Sequence, residues 1–294
     1  MEVVGARSSN ASGAKYECLL FDMDDTLYPL SAGLNLACRK NIEEFMLHHL
    51  GIEETEVPKM CLDLYKECGT TMAGLKDLGY EFDNDEFHAY VHGRLPYDAL
   101  KPDPILRNLL LSMPQRKIIF TNADKAHAAQ VLSRLGLEDC FEGVICFETL
   151  NPPPPVAPSA DHANGTPDDD NDSSETTISG DAINDETKSK TIFNMAKQQI
   201  LCKPSLTSML AAIRIANVDP NKTIFFDDSA RNIASAKLAG LRTVIVGSSN
   251  LVPGADHALS SIHNIKEALP QIWEAEEEHL DQIIQSRVET VVLA

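Results

Sequence analysis

Two pairs of aspartates stand at the ends of apolar runs that lie far apart in the sequence. Asp22 and Asp24 follow the run CLLF, and Asp227 and Asp228 follow the run TIFF. Two carboxylates this close repel each other by roughly 1 kcal/mol in water and by about 4 kcal/mol at an effective dielectric constant of 20. Such pairs persist together where a cation or a shared proton offsets the repulsion. The four residues therefore predict a site for Mg²⁺, which prefers oxygen ligands and bridges to phosphates.

Two further positions carry groups that suit the oxygens of a phosphate. The apolar run KIIF ends in Thr121 and Asn122, a hydroxyl and an amide that can donate hydrogen bonds to phosphate oxygens. Lys203 precedes Pro204, whose fixed φ angle suits the first turn of a helix. A lysine at that place can bring positive charge to a bound phosphate, so the sequence predicts a phosphate site beside the cation.

These residues need secondary structure that brings them together. Five short apolar runs between turn-forming residues are typical of buried strands: 17–22, 117–121, 143–148, 222–228 and 242–247. Helical patterns separate several of them, as at 124–136 and 229–240. This alternation predicts an α/β fold with a doubly wound, Rossmann-like parallel sheet. Since ligands bind outside the carboxyl ends of parallel strands, both aspartate pairs should meet at one edge of the sheet.

The domain organisation follows from shifts in composition along the chain. We predict a flexible N-terminal arm at 1–15 and a discontinuous α/β core at 16–29 and 101–294. Residues 30–100 contain helical patterns and no convincing strand, which favours an inserted helical subdomain over helices that simply cover the sheet. Within the core, the acidic and proline-rich stretch 151–190 has no aromatic residue, so we expect a disordered insert.

Composition excludes several classes of protein. The chain has 25 Lys and Arg against 44 Asp and Glu, a formal net charge of −19, which argues against binding to a nucleic-acid polymer. It lacks the run of about 18 apolar residues that a membrane span needs. Seven cysteines without a CxxC pair fit neither a zinc site nor a disulfide framework. The acidic insert also lacks the glycine and final glutamate of a calcium-binding EF-hand loop. We predict a cytoplasmic protein and leave a nuclear location open.

In their order along the chain, the motifs resemble those of the haloacid dehalogenase-like (HAD) hydrolase superfamily. DMDDT matches the first motif, IIFT the second, Lys203 the third and FFDDSARN the fourth. The resemblance spans about 16–150 and 200–247. It implies that Asp22 is a nucleophile that forms an aspartyl-phosphate. It also implies that Asp24 is the general acid that protonates the leaving oxygen and then the base that activates water.

The resemblance implies a phosphate site as well. Thr121 and Asn122 would hold the phosphoryl oxygens, and Lys203 would neutralise both the nucleophile and the transferring group. These roles agree with elementary electrostatics, because a carboxylate that attacks an anionic phosphate ester meets like-charge repulsion. A lysine and a divalent cation reduce that repulsion.

The metal ligands implied by the resemblance are Asp22, the backbone carbonyl of Asp24, and Asp228. The part played by Asp227 stays open, because Asn232 stands where many members have a second acid. The second acid of the first motif is informative in itself. Dehalogenases of this superfamily lack it and need no metal, so its presence favours phosphoryl transfer.

The helical insert is similar to a C1-type cap, which in this superfamily closes over the site and selects substrates. The phrases DDTLYP, GRLPYD, LKPDP and FTNAD most resemble the pyrimidine 5′-nucleotidase-type subfamily. We therefore predict a Mg²⁺-dependent phosphatase that hydrolyses a small phosphomonoester, a nucleoside 5′-monophosphate with pyrimidine preferred. Two alternatives stay open: a phosphomutase on a small phosphorylated metabolite, and a non-catalytic regulatory protein that binds phosphate. The sequence identifies no protein partner and no oligomeric state.

Several residues near the motifs are assigned no catalytic part. His88 and His92 stand four residues apart without further ligands, which indicates a pair on the cap surface rather than a metal site. Asp25 should point away from Asp24 if the chain stays extended, which indicates a structural role. Three residues could either contact a base or sugar or be buried within the cap: Tyr28, Arg94 and Tyr97.

Overall fold

The computed structural model describes residues 15–153 and 200–273, and all of its strands belong to one sheet. They are β1 (Cys18–Phe21), β2 (Arg116–Phe120), β3 (Gly143–Ile145), β4 (Thr223–Asp227), β5 (Arg242–Val246) and β6 (His257–Leu259). Their order across the sheet is β3-β2-β1-β4-β5-β6, and every pairing is parallel. The predicted parallel α/β fold is confirmed. Strand β6 was not predicted because its residues, HAL, do not belong to an apolar run like the one that marks the equally short edge strand β3.

Ten α-helices lie in the described ranges; nine connect strands and the last follows β6. They are α1 (Leu34–His48), α2 (Val57–Cys68), α3 (Thr71–Asp77), α4 (Asn84–His92), α5 (Pro104–Ser112), α6 (Lys125–Leu135), α7 (Phe147–Leu150), α8 (Leu206–Ala216), α9 (Ala230–Leu238) and α10 (Ile265–Ala268). Single 3₁₀ turns lie at Leu30–Ala32, Tyr97–Ala99, Pro220–Lys222, Ile262–Asn264 and Pro270–Ile272. None of the described helices has the length and apolar character needed to cross a membrane.

The centre of the sheet sets the position of the two aspartate pairs. Strand β1 lies between β2 and β4, and all four of its residues are buried. The register places Phe21 opposite Phe226, and their rings stack with centroids 4.6 Å apart. Because both strands end next to this pair, Asp22 follows β1 beside Asp227, the last residue of β4. The prediction that the acidic pairs meet at one edge is therefore confirmed.

Alternate residues of the strands point to opposite faces of the sheet, and helices cover both faces. One apolar cluster includes Leu19, Phe21, Ile119 and Phe226 of the sheet with Leu106 and Leu110 of α5. The other includes Leu20, Phe120 and Phe225 of the sheet with Met209 of α8 and Ile233 of α9. The sheet is thus doubly wound, which fixes its strands and the loops that follow them.

The segment predicted as an inserted cap is helical, with α1 to α4 and no strand between residues 30 and 100. Its buried side chains form a third cluster around Phe45 and Phe87, which also includes Phe147 of α7. The Asn41 side chain donates to the Val91 carbonyl oxygen over 2.7 Å and links α1 to α4. The division of the chain into a core and a cap stays a prediction.

The helical segment contacts both the loop that carries Lys203 and helix α9. Gly69, after α2, has a φ angle of 91°, and a Cβ atom there would lie 2.4 Å from the Lys203 carbonyl oxygen. Arg231 of α9 donates to the carbonyl oxygens of Tyr65 and Lys66 over 3.1 and 2.6 Å. Helix α8 begins at Leu206, and the Lys203–Pro204 peptide bond is cis. The expectation that Pro204 opens the helix is wrong.

Several predictions fall on residues outside the described ranges. These are the flexible arm up to residue 14, the disordered insert from 154 to 190 without a calcium-binding loop, and the end of the predicted core beyond 273. All seven cysteines lie within the described ranges, and all are free thiols. The prediction that the cysteines form no disulfide framework is confirmed.

Candidate active site

Lys203 occupies the centre of the acidic cluster. Its Nζ donates hydrogen bonds to Asp22 Oδ1 at 2.6 Å, to Asp227 Oδ2 at 2.8 Å and to the Phe120 carbonyl oxygen at 2.9 Å. The side chain is 2% exposed, so all three N–H groups of the ammonium have buried acceptors. Burial disfavours the charged form, but the two carboxylates outweigh it and hold the pKa of Lys203 above its usual range.

Asp22 is buried at the end of β1 and lines a cavity. Its Oδ2 accepts a hydrogen bond from the Thr26 hydroxyl at 3.1 Å, while Lys203 holds its Oδ1. Burial raises the pKa of Asp22 well above its ordinary value, against the lowering effect of Lys203; Asp227 and Asp228 raise it further. Burial is thus the main cause of the raised pKa, and the carboxylate repulsion expected from the sequence adds to it.

The second aspartate pair divides into one enclosed and one exposed carboxylate. Asp227 is fully buried, and its Oδ1 accepts from the Ser229 backbone N–H at 2.8 Å and from Asn232 Nδ2 at 2.9 Å. Asp228 is exposed and lines the cavity. Carboxylate oxygens of Asp22, Asp227 and Asp228 lie within 4.8 Å of one another. This all-oxygen cluster fits a hard divalent cation such as Mg²⁺.

Asp24 points into the same cavity from the loop after β1. Its Oδ1 accepts hydrogen bonds from the Tyr28 hydroxyl at 2.6 Å and from His127 Nε2 at 2.8 Å. Burial by itself raises the pKa of Asp24, but the charge and hydrogen bond of His127 and the Tyr28 hydrogen bond outweigh it. The pKa of Asp24 therefore lies below its ordinary value.

His127 is a site residue that the sequence analysis missed. It lies in the first turn of α6, whose N-cap Asp124 accepts from the backbone N–H of His127 at 3.3 Å. The Tyr97 hydroxyl lies 2.7 Å from His127 Nδ1, and the His92 ring stacks on the imidazole at 4.5 Å between centroids. The signal was available, because a histidine in the first turn of a helix after a parallel strand must lie near the carboxyl edge of the sheet.

The histidine pair on α4 is not on the surface, so that prediction is wrong. His88 is 6% exposed and its ring meets the Phe147 ring edge-on at 4.6 Å. His92 Nδ1 hydrogen-bonds to the Asp124 carboxylate, and both histidines line the cavity. His88 and His92 stand one turn apart and therefore share one face of α4. This face packs towards α6 and α7.

Arg94 and the two tyrosines, whose positions were left open, lie in different places. Tyr28 and Tyr97 both join the hydrogen-bond network around Asp24 and His127. Arg94 instead lies at the surface, where Nη2 donates to Glu44 at 2.7 Å, and it does not line the cavity.

Asp25 differs from its predicted orientation. The backbone turns immediately after Asp24, so Asp25 adopts a φ angle of 58° and is not extended. Its Oδ2 accepts from Asn35 Nδ2 at 2.9 Å, and its Oδ1 is buried without a hydrogen-bond partner among the described residues. Asp25 lines the cavity together with Asn35.

The two polar residues after β2 have different surroundings. The Asn122 side chain donates to the Lys203 carbonyl oxygen at 3.0 Å and accepts from the Lys203 backbone N–H at 2.8 Å. Both polar ends of this amide therefore hold the lysine loop in place. The Thr121 hydroxyl accepts from the Ala123 backbone N–H at 3.1 Å, which leaves its own hydrogen free to donate into the cavity that it lines.

The cavity itself has a volume of about 250 Å³ and two chemically different ends. The sheet edge contributes the acidic residues, Lys203 and Thr121. The helical segment contributes apolar side chains, among them Leu34, Ile42, Met72 and Val91. Lys203 is the one lysine or arginine among the described lining residues, and two carboxylates already bind it.

Comparison with known proteins gives a partial match in sequence to a curated yeast protein. No family model matches the chain. Phosphate metabolism protein 8 of Saccharomyces cerevisiae is 31% identical over 132 residues, which are 42% of this chain and 41% of that protein. The chain thus matches less than half the length of this curated relative.

Solved structures that are similar to the chain over most of its length include a phosphatase, a phosphate complex and a dehalogenase. A HAD phosphatase from Thermococcus onnurineus has a TM-score of 0.48 at 16% identity, covering 85% of this chain and 96% of its own. CbbY from Rhodobacter sphaeroides in complex with phosphate has a TM-score of 0.48 at 15% identity, with coverages of 85% and 96%. An L-2-haloacid dehalogenase from Xanthobacter autotrophicus, with chloropropionic acid covalently bound, has a TM-score of 0.44 at 12% identity, covering 87% and 98%. Likeness at this level carries no conclusion about function, which has to come from the site.

Proposed function

We propose that the protein is a HAD-type, Mg²⁺-dependent phosphatase that hydrolyses a small phosphomonoester, with a nucleoside 5′-monophosphate as substrate. The observation that carries this proposal is the bridge from Lys203 Nζ to Asp22 and Asp227, directly beside Asp228 and the cavity. The partial similarity to a yeast protein named for phosphate metabolism agrees with a reaction on phosphate.

The residues around the bridge suit a two-step transfer. Asp22 attacks phosphorus and forms an aspartyl-phosphate while the bond from phosphorus to the leaving oxygen breaks. Asp24 takes up a proton when the anionic ester binds beside it, because the added negative charge raises the pKa of its carboxyl group. It gives that proton to the leaving oxygen, then takes a proton from the water that cleaves the aspartyl-phosphate. Lys203 and the Thr121 hydroxyl stabilise the transferring phosphoryl oxygens. Asn122 acts indirectly, because its amide is already used to position Lys203.

A divalent cation fits the acidic cluster, and its ligands can be ranked by their other contacts. The Asp227 carboxylate already accepts hydrogen bonds from Lys203, Ser229 and Asn232, so we assign it to orienting Lys203. No other described residue donates a hydrogen bond to the Asp228 carboxylate, and Asp228 lines the cavity, which makes it the stronger candidate ligand beside Asp22 and the Asp24 carbonyl oxygen. When bound, the ion would neutralise charge on the phosphoryl oxygens and on Asp22.

The far end of the cavity favours a phosphatase over a phosphomutase. A mutase that works through an enzyme-phosphate has to hold a second phosphate group away from the transferring one. That group needs cationic partners. Among the described lining residues no lysine or arginine other than Lys203 is available for it.

The same end of the cavity also suggests the kind of leaving group. Its apolar walls and the aromatic rings of Phe147 and His88 suit an uncharged, planar group such as a nucleobase. A volume of about 250 Å³ is small for a ligand cavity. It therefore favours a pyrimidine over a purine nucleoside.

The proposed substrate is tested with a panel of phosphate esters. We expect release of inorganic phosphate from pyrimidine monophosphates, dependent on added Mg²⁺ and abolished by EDTA. The ratio kcat/KM should exceed that for UDP, glucose 1,6-bisphosphate and phosphoglycolate by about tenfold or more, because a second negative charge finds no partner. Purine monophosphates, pyridoxal phosphate and sugar monophosphates complete the panel. Isomerised product without free phosphate would instead select the mutase, and no turnover of any ester would select the regulatory binding protein.

The assignment of the metal ligands gives a separate prediction. Asp228→Asn should weaken Mg²⁺ binding by about tenfold or more, as measured by isothermal titration, because it removes an anionic ligand. Asp227→Asn is the matched control, an identical change at the neighbouring position. It should keep most of the Mg²⁺ affinity and lose turnover through misplacement of Lys203. The reverse pattern would make Asp227 the ligand.

A further inference from the structure

We propose that His127 is a positioning residue that holds the Asp24 carboxyl group so that its second oxygen faces the leaving group. The inference rests on the proposed function, because it concerns the proton that Asp24 transfers in that reaction. His127 belongs to none of the four sequence motifs, and it reaches Asp24 from a different strand-helix unit, 103 residues along the chain.

The hydrogen bonds of Asp24 are distributed unevenly between its two oxygens. Tyr28 and His127 both donate to Oδ1, over 2.6 and 2.8 Å. No hydrogen bond from the described residues reaches Oδ2. The Asp24 side chain lines the cavity and is 34% exposed. Two donors on one oxygen fix the rotation of the carboxyl group. The oxygen left to exchange a proton with substrate or water is therefore Oδ2.

His127 can fix Asp24 because it is itself held on several sides. Its ring is 3% exposed, Nδ1 lies 2.7 Å from the Tyr97 hydroxyl, and the backbone N–H donates to Asp124. The His92 ring packs against the imidazole with centroids 4.5 Å apart, and His92 is bound to Asp124 in turn. Nε2 carries the hydrogen that is donated to Asp24 both in the neutral ring, where Nδ1 accepts from the Tyr97 hydroxyl, and in the protonated ring, where Nδ1 donates to the Tyr97 oxygen. Donors fixed in advance need no rearrangement during the reaction.

The position of His127 also couples two parts of the site. Helix α6 begins just after the loop that carries Thr121, so the imidazole ties this loop to the Asp24 loop after β1. Thr121 is proposed to hold a phosphoryl oxygen, and Asp24 to serve the leaving oxygen of the same group. A fixed distance between the two loops is what a proton transfer at a bound phosphate requires.

Two substitutions separate positioning from simple support of the fold. The amide nitrogen of glutamine lies near the place of histidine Nε2, whereas that of asparagine lies near Nδ1. His127→Gln therefore keeps a donor for Asp24, and His127→Asn loses it. We expect His127→Asn to lower kcat for a nucleoside monophosphate by roughly 10- to 100-fold with little change in KM. His127→Gln should retain activity within about threefold of the unsubstituted protein.

The second readout is the dependence on the leaving group. Nitrophenolate departs from p-nitrophenyl phosphate without a proton, so the first turnover of His127→Asn on this ester should be as fast as that of the unsubstituted protein. The first release of nucleoside from a nucleoside monophosphate should be slowed, because that alkoxide needs the proton from Asp24. In an Asp24→Asn background, His127→Asn should cause no additional loss, since both changes remove the same proton transfer.

The contrary results are equally specific. Equal activities of the Gln and Asn variants, or slow nitrophenolate release by His127→Asn, would assign His127 to the fold and overturn the inference. Thermal unfolding of both variants checks that they fold alike. Full activity of His127→Asn on a nucleoside monophosphate would overturn the inference while the proposed function stands. An unsubstituted protein that hydrolyses no ester would overturn the proposed function, and this inference with it.

Discussion

Asp22→Asn should reduce turnover by about four orders of magnitude or more, because the amide cannot attack phosphorus to form the acyl-phosphate. The change conserves volume, so the packing at the end of β1 should survive. Steady-state release of phosphate from the best substrate of the panel measures the loss, and circular dichroism and thermal unfolding measure the fold.

The control for this variant is an aspartate of equal chemistry away from the cavity. Asp63 lies on α2, pairs with Lys59 at 2.5 Å and does not line the cavity. Asp63→Asn should leave turnover unchanged within about twofold, since surface ion pairs contribute little. Retained turnover in Asp22→Asn, with Asp63→Asn also active, would show that another group is the nucleophile.

Lys203→Met should destabilise the protein by about 3–5 kcal/mol, as measured by urea unfolding in EDTA, because Asp22 and Asp227 lose their shared counter-ion. The methionine keeps most of the volume of the lysine stem, so the lost charge dominates the effect. Turnover should fall by about 10²- to 10³-fold or more, because Lys203 also stabilises the transferring phosphoryl group.

A double variant separates the two effects of Lys203. In Lys203→Met with Asp227→Asn, one of the uncompensated carboxylates is gone, so most of the lost stability should return. Turnover should stay low, since the cation is still missing. Recovery of turnover together with stability would show that Lys203 only supports the fold. Lys237→Met is the surface control, because Lys237 pairs with Asp256 at 2.5 Å and should cost less than about 1 kcal/mol.

The sequence predicted the parts of the site that follow from local pattern. Short apolar runs marked strands β1 to β5. The residue after each run had to lie near the carboxyl edge of the sheet, because the strands are parallel. Asp22, Asp24, Thr121 and the pair at 227–228 could therefore be placed together from the sequence, whereas Lys203 was predicted from its place before Pro204 and from the order of the motifs. The edge strand β6 was missed because its residues, HAL, form no apolar run.

The sequence did not predict how the side chains of the site are oriented. The left-handed turn at Asp25, the inward face of α4 with His88 and His92, and the contact between His127 and Asp24 each depend on packing between elements distant in sequence. The same holds for the difference between the enclosed Asp227 and the exposed Asp228, which are identical in type and adjacent in sequence.

The residue types and spacings alone predicted that two aspartate pairs and a lysine form an all-oxygen cation site with a phosphate site beside it, and the motif resemblance added the roles of nucleophile and second acid. The tertiary structure decided which oxygen of each carboxylate is occupied, which aspartate is exposed at the cavity, and which side chains line the far end of the cavity. The physical reason is that strand and helix periodicity are local properties, readable from neighbouring residues. Hydrogen-bond partners and burial are set by long-range packing, which brings Lys203 within 2.6 Å of a residue 181 positions away.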